Sequence, residues 1–271
     1  MPELPEVETL RRGLEPLAVG RKFLGVEVRQ PRLRKKISAG LNAKIAGSKL
    51  IALERRAKYL LFRFSPGTLL IHLGMSGTIF RSQTQTPAGK HDHFDLLLPK
   101  QELLRYRDPR RFGMAVWTSS PPYSHRLLSH LGPEPLGPDL HAEYLRKVFH
   151  KKTAPVKSLL LDGTKISGIG NIYASEALFR AGIAPKRSAG KISAPRCDLL
   201  VKSIKNVLQE ALAAGGTTLK DHRRVDGSPG WFAQDLAVYG RNDKDCRNCG
   251  NIVKKALLAG RSTYWCSTCQ K

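Results

Sequence analysis

The last 26 residues hold four cysteines in two pairs, Cys246-Arg-Asn-Cys249 and Cys266-Ser-Thr-Cys269, with sixteen residues between the pairs. A Cys-x-x-Cys pair is the spacing a tight turn needs to aim two thiolates at one point, and two such turns present four sulfurs tetrahedrally to a zinc ion. A redox dithiol would need only one pair. Four cysteine ligands leave no open position, so the predicted zinc, one per chain, holds a fold and performs no catalysis. It would shape Lys254, Lys255 and Arg261 into a presented basic surface on a β-hairpin ribbon. The fifth cysteine, Cys197, falls in an amphipathic helical stretch and reads as a buried small hydrophobe.

The N-terminus, Met1-Pro2-Glu3, offers a different chemistry. Proline is a small second residue of the kind that permits removal of the initiator methionine, which would expose a secondary amine at Pro2. An α-amino group has a pKa of about 7.7 to 8.0, so a useful fraction is unprotonated at neutral pH and can attack an aldehyde-like sugar carbon to form an imine. The other reading of Glu3 and Glu6 is favourable negative charge at a helix N-terminus.

Three further groups suit contact with a polyanion. Gly168-Ile-Gly170-Asn171 precedes a helical pattern, making Asn171 a candidate N-cap and letting a phosphate approach the helix N-terminus; an ordinary helix start is the alternative. Asp108-Pro-Arg110-Arg111-Phe112-Gly113 sets two guanidinium groups beside an aromatic at a turn, and Leu73-Gly74-Met75-Ser76-Gly77 sets a methionine on another. Arginine and apolar wedges are what a protein needs to enter a duplex and fill the space left by an extruded base, although each residue taken singly is more often a packing residue. His91 and His93 have no third metal ligand nearby in sequence and read as a phosphate contact or surface groups.

Elements must position these groups. Val7, Leu10, Leu14 and Leu17 recur at helical spacing between Pro5 and Gly20, which predicts an N-terminal helix. Residues 22–29, 50–54, 59–64, 69–73, 94–98, 102–106 and 114–118 are short apolar runs separated by turn residues and predict a β-sandwich or barrel. Beyond Gly132-Pro133-Glu134-Pro135, helical patterns at 141–150, 156–161, 172–181 and 196–214 predict an all-α module. Residues 217–234 carry Gly, Pro, Asp and basic residues with little apolar period, which predicts a mobile loop.

Lys and Arg number 46 against 22 Asp and Glu, a net charge of +24, while 41% hydrophobic residues allow a real core. So positive a balance predicts a polyanionic partner, nucleic acid first, with a basic membrane-surface protein as the competitor. No stretch reads as a membrane span: the longest apolar run, residues 69–80, is interrupted by His72 and bracketed by Arg63 and Arg81. Glu3, Glu6 and Glu8 stand where a secretory signal would be basic. With too few cysteines for a disulfide framework, a reducing, cytoplasmic location is expected.

Pro2-Glu3-Leu4-Pro5-Glu6-Val7-Glu8-Thr9, Arg56-Ala-Lys58-Tyr59-Leu60, His72-Leu-Gly-Met75-Ser-Gly77, Asp108-Pro-Arg110-Arg111-Phe112-Gly113, Gly168-Ile-Gly-Asn171-Ile-Tyr-Ala-Ser175-Glu176 and the four cysteines occur in this order. In this the chain resembles the bacterial formamidopyrimidine-DNA glycosylase family, from Pro2 to the last cysteine. The resemblance implies an α+β, multidomain fold: an N-terminal β-sandwich with an N-terminal helix (1–131), a helix-two-turns-helix domain with a base-capping loop (132–234), and a C-terminal β-hairpin zinc finger (235–271). It implies a monomer acting on damaged double-stranded DNA in a bacterial cytoplasm, associated with the nucleoid when bound. The implied reaction is excision of 8-oxoguanine and formamidopyrimidines followed by β,δ-elimination at the abasic site.

In that reading Pro2 is the nucleophile at C1′ and Glu3 assists proton transfer. Lys58 is the proton donor for β-elimination, and Arg261 the one for δ-elimination. Met75, Arg110 and Phe112 fill the void left by the base, while His91, Lys151, Lys152 and Asn171 contact the DNA backbone. The segment 217–239, including Lys220 and Tyr239, closes over the extruded base. Endonuclease VIII, which shares the Pro-Glu start but prefers oxidised pyrimidines, is the nearest alternative. A non-catalytic zinc-ribbon binder of damaged DNA would leave Pro2, Glu3 and Lys58 without a role.

Overall fold

The structure is a computed structural model and describes residues 1–216 and 236–271. The described chain divides into two compact units, one built on Met1–Ser129 and the other on His130–Ala213 with the C-terminal residues through Lys271.

The first unit opens with helix α1 (Leu4–Ala18), which buries Leu4, Val7, Leu10, Leu14 and Ala18. Strand β1 (Gly25–Val28) and the five-residue helix α2 (Leu41–Ile45) follow. Then come seven strands: β2 (Leu50–Arg56), β3 (Tyr59–Phe64), β4 (Gly67–His72), β5 (Thr78–Gln83), β6 (Asp92–Leu97), β7 (Glu102–Arg107) and β8 (Met114–Thr118). They form two antiparallel four-stranded sheets, ordered β1-β6-β7-β5 and β2-β3-β4-β8. Phe62, Phe64, Leu69, Ile71 and Trp117 of one sheet share a buried cluster with Ile79, Phe94, Leu96, Leu104 and Tyr106 of the other, and α1 adds Val7, Leu10 and Leu14. Two sheets closing on one core make the sandwich, one of the two architectures that the short apolar runs predict.

Strand β5 and helix α2 are additions to the sequence reading. Only Ile79 is fully buried in β5, which lies at a sheet edge and carries Arg81, Ser82 and Gln83.

The second unit holds α3 (Ala142–Phe149), α4 (Val156–Leu160), α5 (Asn171–Arg180) and α6 (Ala194–Ala213), then the antiparallel hairpin of β9 (Lys254–Leu258) and β10 (Arg261–Trp265). Cys197 is fully buried on α6, as its helical placement predicts. A small core of Phe179, Val238, Val253, Cys246 and Cys266 joins α5 to the cysteine module. Among the described residues no helix is long and apolar enough to cross a membrane.

Candidate active site, DNA-contact loops and zinc centre

Glu3 and Glu6, both buried, organise the start of α1: the Glu3 backbone N–H donates to Glu6 Oε2 at 2.8 Å. This is the reciprocal half of a capping box, and it fixes the first turn directly after Pro2, itself buried. Lys58 occupies the two-residue turn between β2 and β3 in the same unit. Beside it stands His72, which the sequence reading leaves out of the site. Burial, then the nearby charges of Lys58 and Arg34, push the His72 imidazole down to about 4, so it is neutral at physiological pH. Its Nδ1 accepts the Gly74 N–H at 2.9 Å, which puts the ring proton on Nε2. The available signal was a histidine interrupting an apolar run at the head of His72-Leu-Gly-Met75.

The turns bearing Met75 and Phe112 are fastened together by buried Asp108. Its Oδ1 accepts Ser76 Oγ at 2.7 Å, and its Oδ2 accepts the Gly113 N–H at 2.8 Å and the Tyr106 hydroxyl at 3.3 Å. Ser76 Oγ in turn accepts the Arg110 N–H at 3.1 Å. Gly74, at φ +65, lies so close to the Phe112 backbone that a Cβ there would collide with it. Phe112 is left 45% exposed with the Arg110 guanidinium 4.8 Å above its ring, and Met75 is half-buried. An exposed aromatic stacked by a guanidinium on a rigid support is suited to insertion between bases.

The two histidines of His91-Asp-His93 part company. His91 is exposed and lines a recess of about 440 Å³ with Arg29, Lys90 and Arg111. His93 is buried and its Nε2 bonds the Asp108 carbonyl at 2.8 Å, so it supports the Asp108 turn and is not a surface group.

In the second unit Asn171 is the first residue of α5, and the N-cap is Gly170, a correction to the expected cap. The Asn171 Nδ2 instead donates to the Ser262 carbonyl on β10 at 2.8 Å, and its Oδ1 is buried without a hydrogen-bond partner among the described residues. Lys157, fully buried on α4, donates to Thr263 Oγ1 at 2.9 Å. The hairpin is thus pinned immediately beside Arg261, which is exposed. Lys151 and Lys152 are exposed after α3. Tyr239 packs its ring 5.0 Å from that of Tyr264. Its N–H, with those of Ala237 and Val238, donates to the buried Glu176 carboxylate at 2.8–3.0 Å. Lys157 and Glu176 are therefore functional supports that sequence reasoning missed, because their partners lie 61 or more residues away. Lys220 and most of the expected base-closing segment lie outside the described residues.

The four cysteine Sγ atoms all lie within 4.8 Å of one another. Cys246 and Cys269 are 3.8 Å apart, Cys249 and Cys266 3.5 Å. A tetrahedron with Zn–S bonds of about 2.3 Å has S–S edges of about 3.8 Å, so the cluster fits one zinc ion. Without a cation, burial and the three neighbouring thiols push Cys269 up to about 12; a bound metal is what lets all four sulfurs ionise together.

Three family models match this chain in sequence order: the formamidopyrimidine-DNA glycosylase N-terminal domain at residues 1–115, the H2TH domain of the same enzyme at 131–223, and a zinc finger found in FPG and IleRS at 244–271. The formamidopyrimidine-DNA glycosylase of Stutzerimonas stutzeri is 48% identical over 271 residues, covering all of both chains. The chain belongs to the formamidopyrimidine-DNA glycosylase family. Solved structures agree. The MutM (Fpg) protein of Thermus thermophilus matches at 39% identity with a TM-score of 0.88, over 99% of this chain and 98% of that one. A Lactococcus lactis Fpg mutant bound to Fapy-dG DNA matches at 34% with a TM-score of 0.92, over the whole of both.

Formamidopyrimidine-DNA glycosylases are DNA glycosylases with abasic-site lyase activity, and base-excision repair of oxidised purines on damaged DNA is the function of this chain. Its zinc finger holds one structural zinc ion on Cys246, Cys249, Cys266 and Cys269.

Proposed function

We propose that Pro2, after removal of Met1, attacks C1′ of an oxidised purine nucleotide in duplex DNA. The glycosidic bond breaks, the base leaves, and a Schiff base joins the protein to the opened sugar. Buried Glu3, set by the capped first turn of α1, moves protons between sugar and base. Lys58 serves β-elimination at the 3′ side, and Arg261 serves δ-elimination at the 5′ side. Met75, Arg110 and Phe112 occupy the vacated space, with Arg110 facing the opposite base. His91, Lys151, Lys152 and Asn171 grip phosphates, and Lys220 and Tyr239 belong to the segment that closes over the base. The reading divides the chain at 131 and 234, has it act as a monomer, and places it in a bacterial cytoplasm, on the nucleoid when bound.

The observation that carries the reading is the N-terminal amine position delivered onto a rigid first turn, with Glu3 buried next to it. The test is incubation of Met-processed protein with duplexes bearing 8-oxoguanine opposite cytosine, or thymine glycol, in the presence of borohydride. A trapped adduct and a β,δ-type product on 8-oxoguanine are expected. Preference for thymine glycol would move the chain to the endonuclease VIII specificity, a comparison worth making because a Lactococcus lactis Fpg is known in complex with oxidised-pyrimidine DNA. Binding without an adduct on either duplex would leave a damage-recognising binder.

A further inference from the structure

Lys58 stands on a turn that the chain does not favour unaided. Ala57 and Lys58 alone connect β2 to β3, with Arg56 opposite Tyr59. Ala57 sits at φ +53, a left-handed conformation that its Cβ opposes. Arg55 is bonded to this turn. Its Nη1 donates to the Ala57 carbonyl at 3.0 Å, while its Nε donates to Glu8 Oε2 on α1 at 3.0 Å. The Ala57 carbonyl belongs to the same planar peptide unit as the Lys58 N–H, so holding that plane sets the direction in which Lys58 leaves the backbone.

Glu8 is itself held. Arg11 Nη2 donates to its Oε1 at 3.0 Å and Arg12 Nε does the same at 3.0 Å, while Arg11 Nη1 reaches the Leu53 carbonyl on β2 at 3.1 Å. The side chains of Arg55 and Glu8 are only 13% and 12% exposed, so solvent screens the pair weakly. Burial raises the Glu8 carboxyl, but the hydrogen bonds and charge of Arg11, with Arg12 and Arg55, bring it below its ordinary value. The chain of contacts runs from the helix that begins at Pro2 and Glu3 to the peptide plane of Lys58.

We propose that Arg55, held by Glu8, is a positioning residue for Lys58 in strand cleavage, tying the Lys58 turn to the helix that carries the amine. The inference rests on Lys58 being the proton donor of β-elimination. The test uses the full, zinc-loaded, Met-processed chain and a duplex with a preformed abasic site. It compares Arg55→Gln, Arg55→Lys, Lys58→Gln and the double variant Arg55→Gln/Lys58→Gln.

Arg55→Gln is expected to lower kcat for β-elimination about tenfold, with KM held within about twofold. Borohydride-trapped imine should accumulate, because the Pro2 step precedes the slowed one. Arg55→Lys, which keeps the charge beside Glu8 but lacks the second branch of the fork, should fall in between. The double variant should cleave no more slowly than Lys58→Gln alone, since both changes remove one arrangement. Arg12→Gln, which removes one of the contacts that hold Glu8 and leaves the Arg55 fork in place, should lose less than Arg55→Gln.

Equal loss of trapping and cleavage in Arg55→Gln, unchanged cleavage, or additive loss in the double variant would overturn the proposal while leaving the role of Lys58 standing. Parental cleavage by Lys58→Gln would remove that role and the proposal with it. Should Arg55→Gln not fold, Arg55→Lys and Glu8→Gln are judged by the same kcat and trapping criteria.

Discussion

Once the base has left C1′, a secondary amine forms an iminium that has no N–H to lose and so stays cationic, whereas the imine of a primary amine can lose its proton and must regain it to act as an electron sink. Pro2→Gly is therefore expected to reduce trapping and strand cleavage roughly 10²-fold, the ring's fixed backbone being lost as well; a gel showing parental nicking would contradict the assignment of Pro2. His72 gives a second residue-scale expectation. Its folded value of about 4 lies below the ordinary 6.5, so between those values the unfolded chain binds more protons and stability rises with pH. The loss on acidification from pH 7 to 4 through this group is at most about 3 kcal/mol. His72→Asn, which can still accept from Gly74, should show a shallower fall in urea midpoint over that range, and parallel curves would refute the assignment. Residue chemistry was legible where it is local: the cysteine spacing needed no distant partner to be read, and the four thiols meet as it predicts. Asn171 misled because its sequence neighbours offer a cap, while its amide goes to Ser262 on a distant strand. His93 looked like a surface group and is buried under Asp108, since only tertiary packing distinguishes it from His91.

The hairpin of β9 and β10 shows how an element depends on what clamps it. A two-stranded ribbon is marginal in water by itself. Here Cys246 and Cys266 reach into the core with Phe179, Val238 and Val253, and Lys157 and Asn171 bond the strand next to Arg261. Zinc on the four sulfurs closes the open end. Cys249→Ser removes one ligand at an exposed corner, and is expected to lower zinc content measured by atomic absorption and to weaken duplex binding at least about tenfold as the hairpin loosens. Retained affinity in a zinc-free variant would show that the side-chain clamp suffices. Elements with strong periodicity were legible, including α1, β3, β8 and the helices of the second unit. Those that were not have identifiable reasons. Helix α2 buries only Leu41 and Ile45 and starts from Gly40 at φ +64, with no capping side chain to announce it. Strand β5 lies at a sheet edge and buries only Ile79 completely, so its polar residues hide it.

At the scale of the whole molecule, the +24 charge makes affinity for duplex DNA a counterion-release problem. If six to ten phosphates are neutralised, log K should fall against log salt with a slope of about −5 to −9. Lys151 and Lys152 are exposed on the irregular backbone after α3, and Arg261 is exposed on the hairpin. Phosphate contacts fix register without reading sequence. The double change Lys151→Ala/Lys152→Ala should therefore reduce the slope by about 2 and weaken damaged and undamaged duplexes equally. Arg110 differs, because it stacks on Phe112 above a buried Asp108 support that holds it in one place. Arg110→Ala should alter the ratio of affinities for different opposite bases and move the salt slope by no more than about 1. Fluorescence anisotropy titrations at four salt concentrations on matched duplexes separate the two behaviours. A change of opposite-base ratio in the lysine variant, or none in Arg110→Ala, would mean that charge and base reading are not divided between these two parts of the chain.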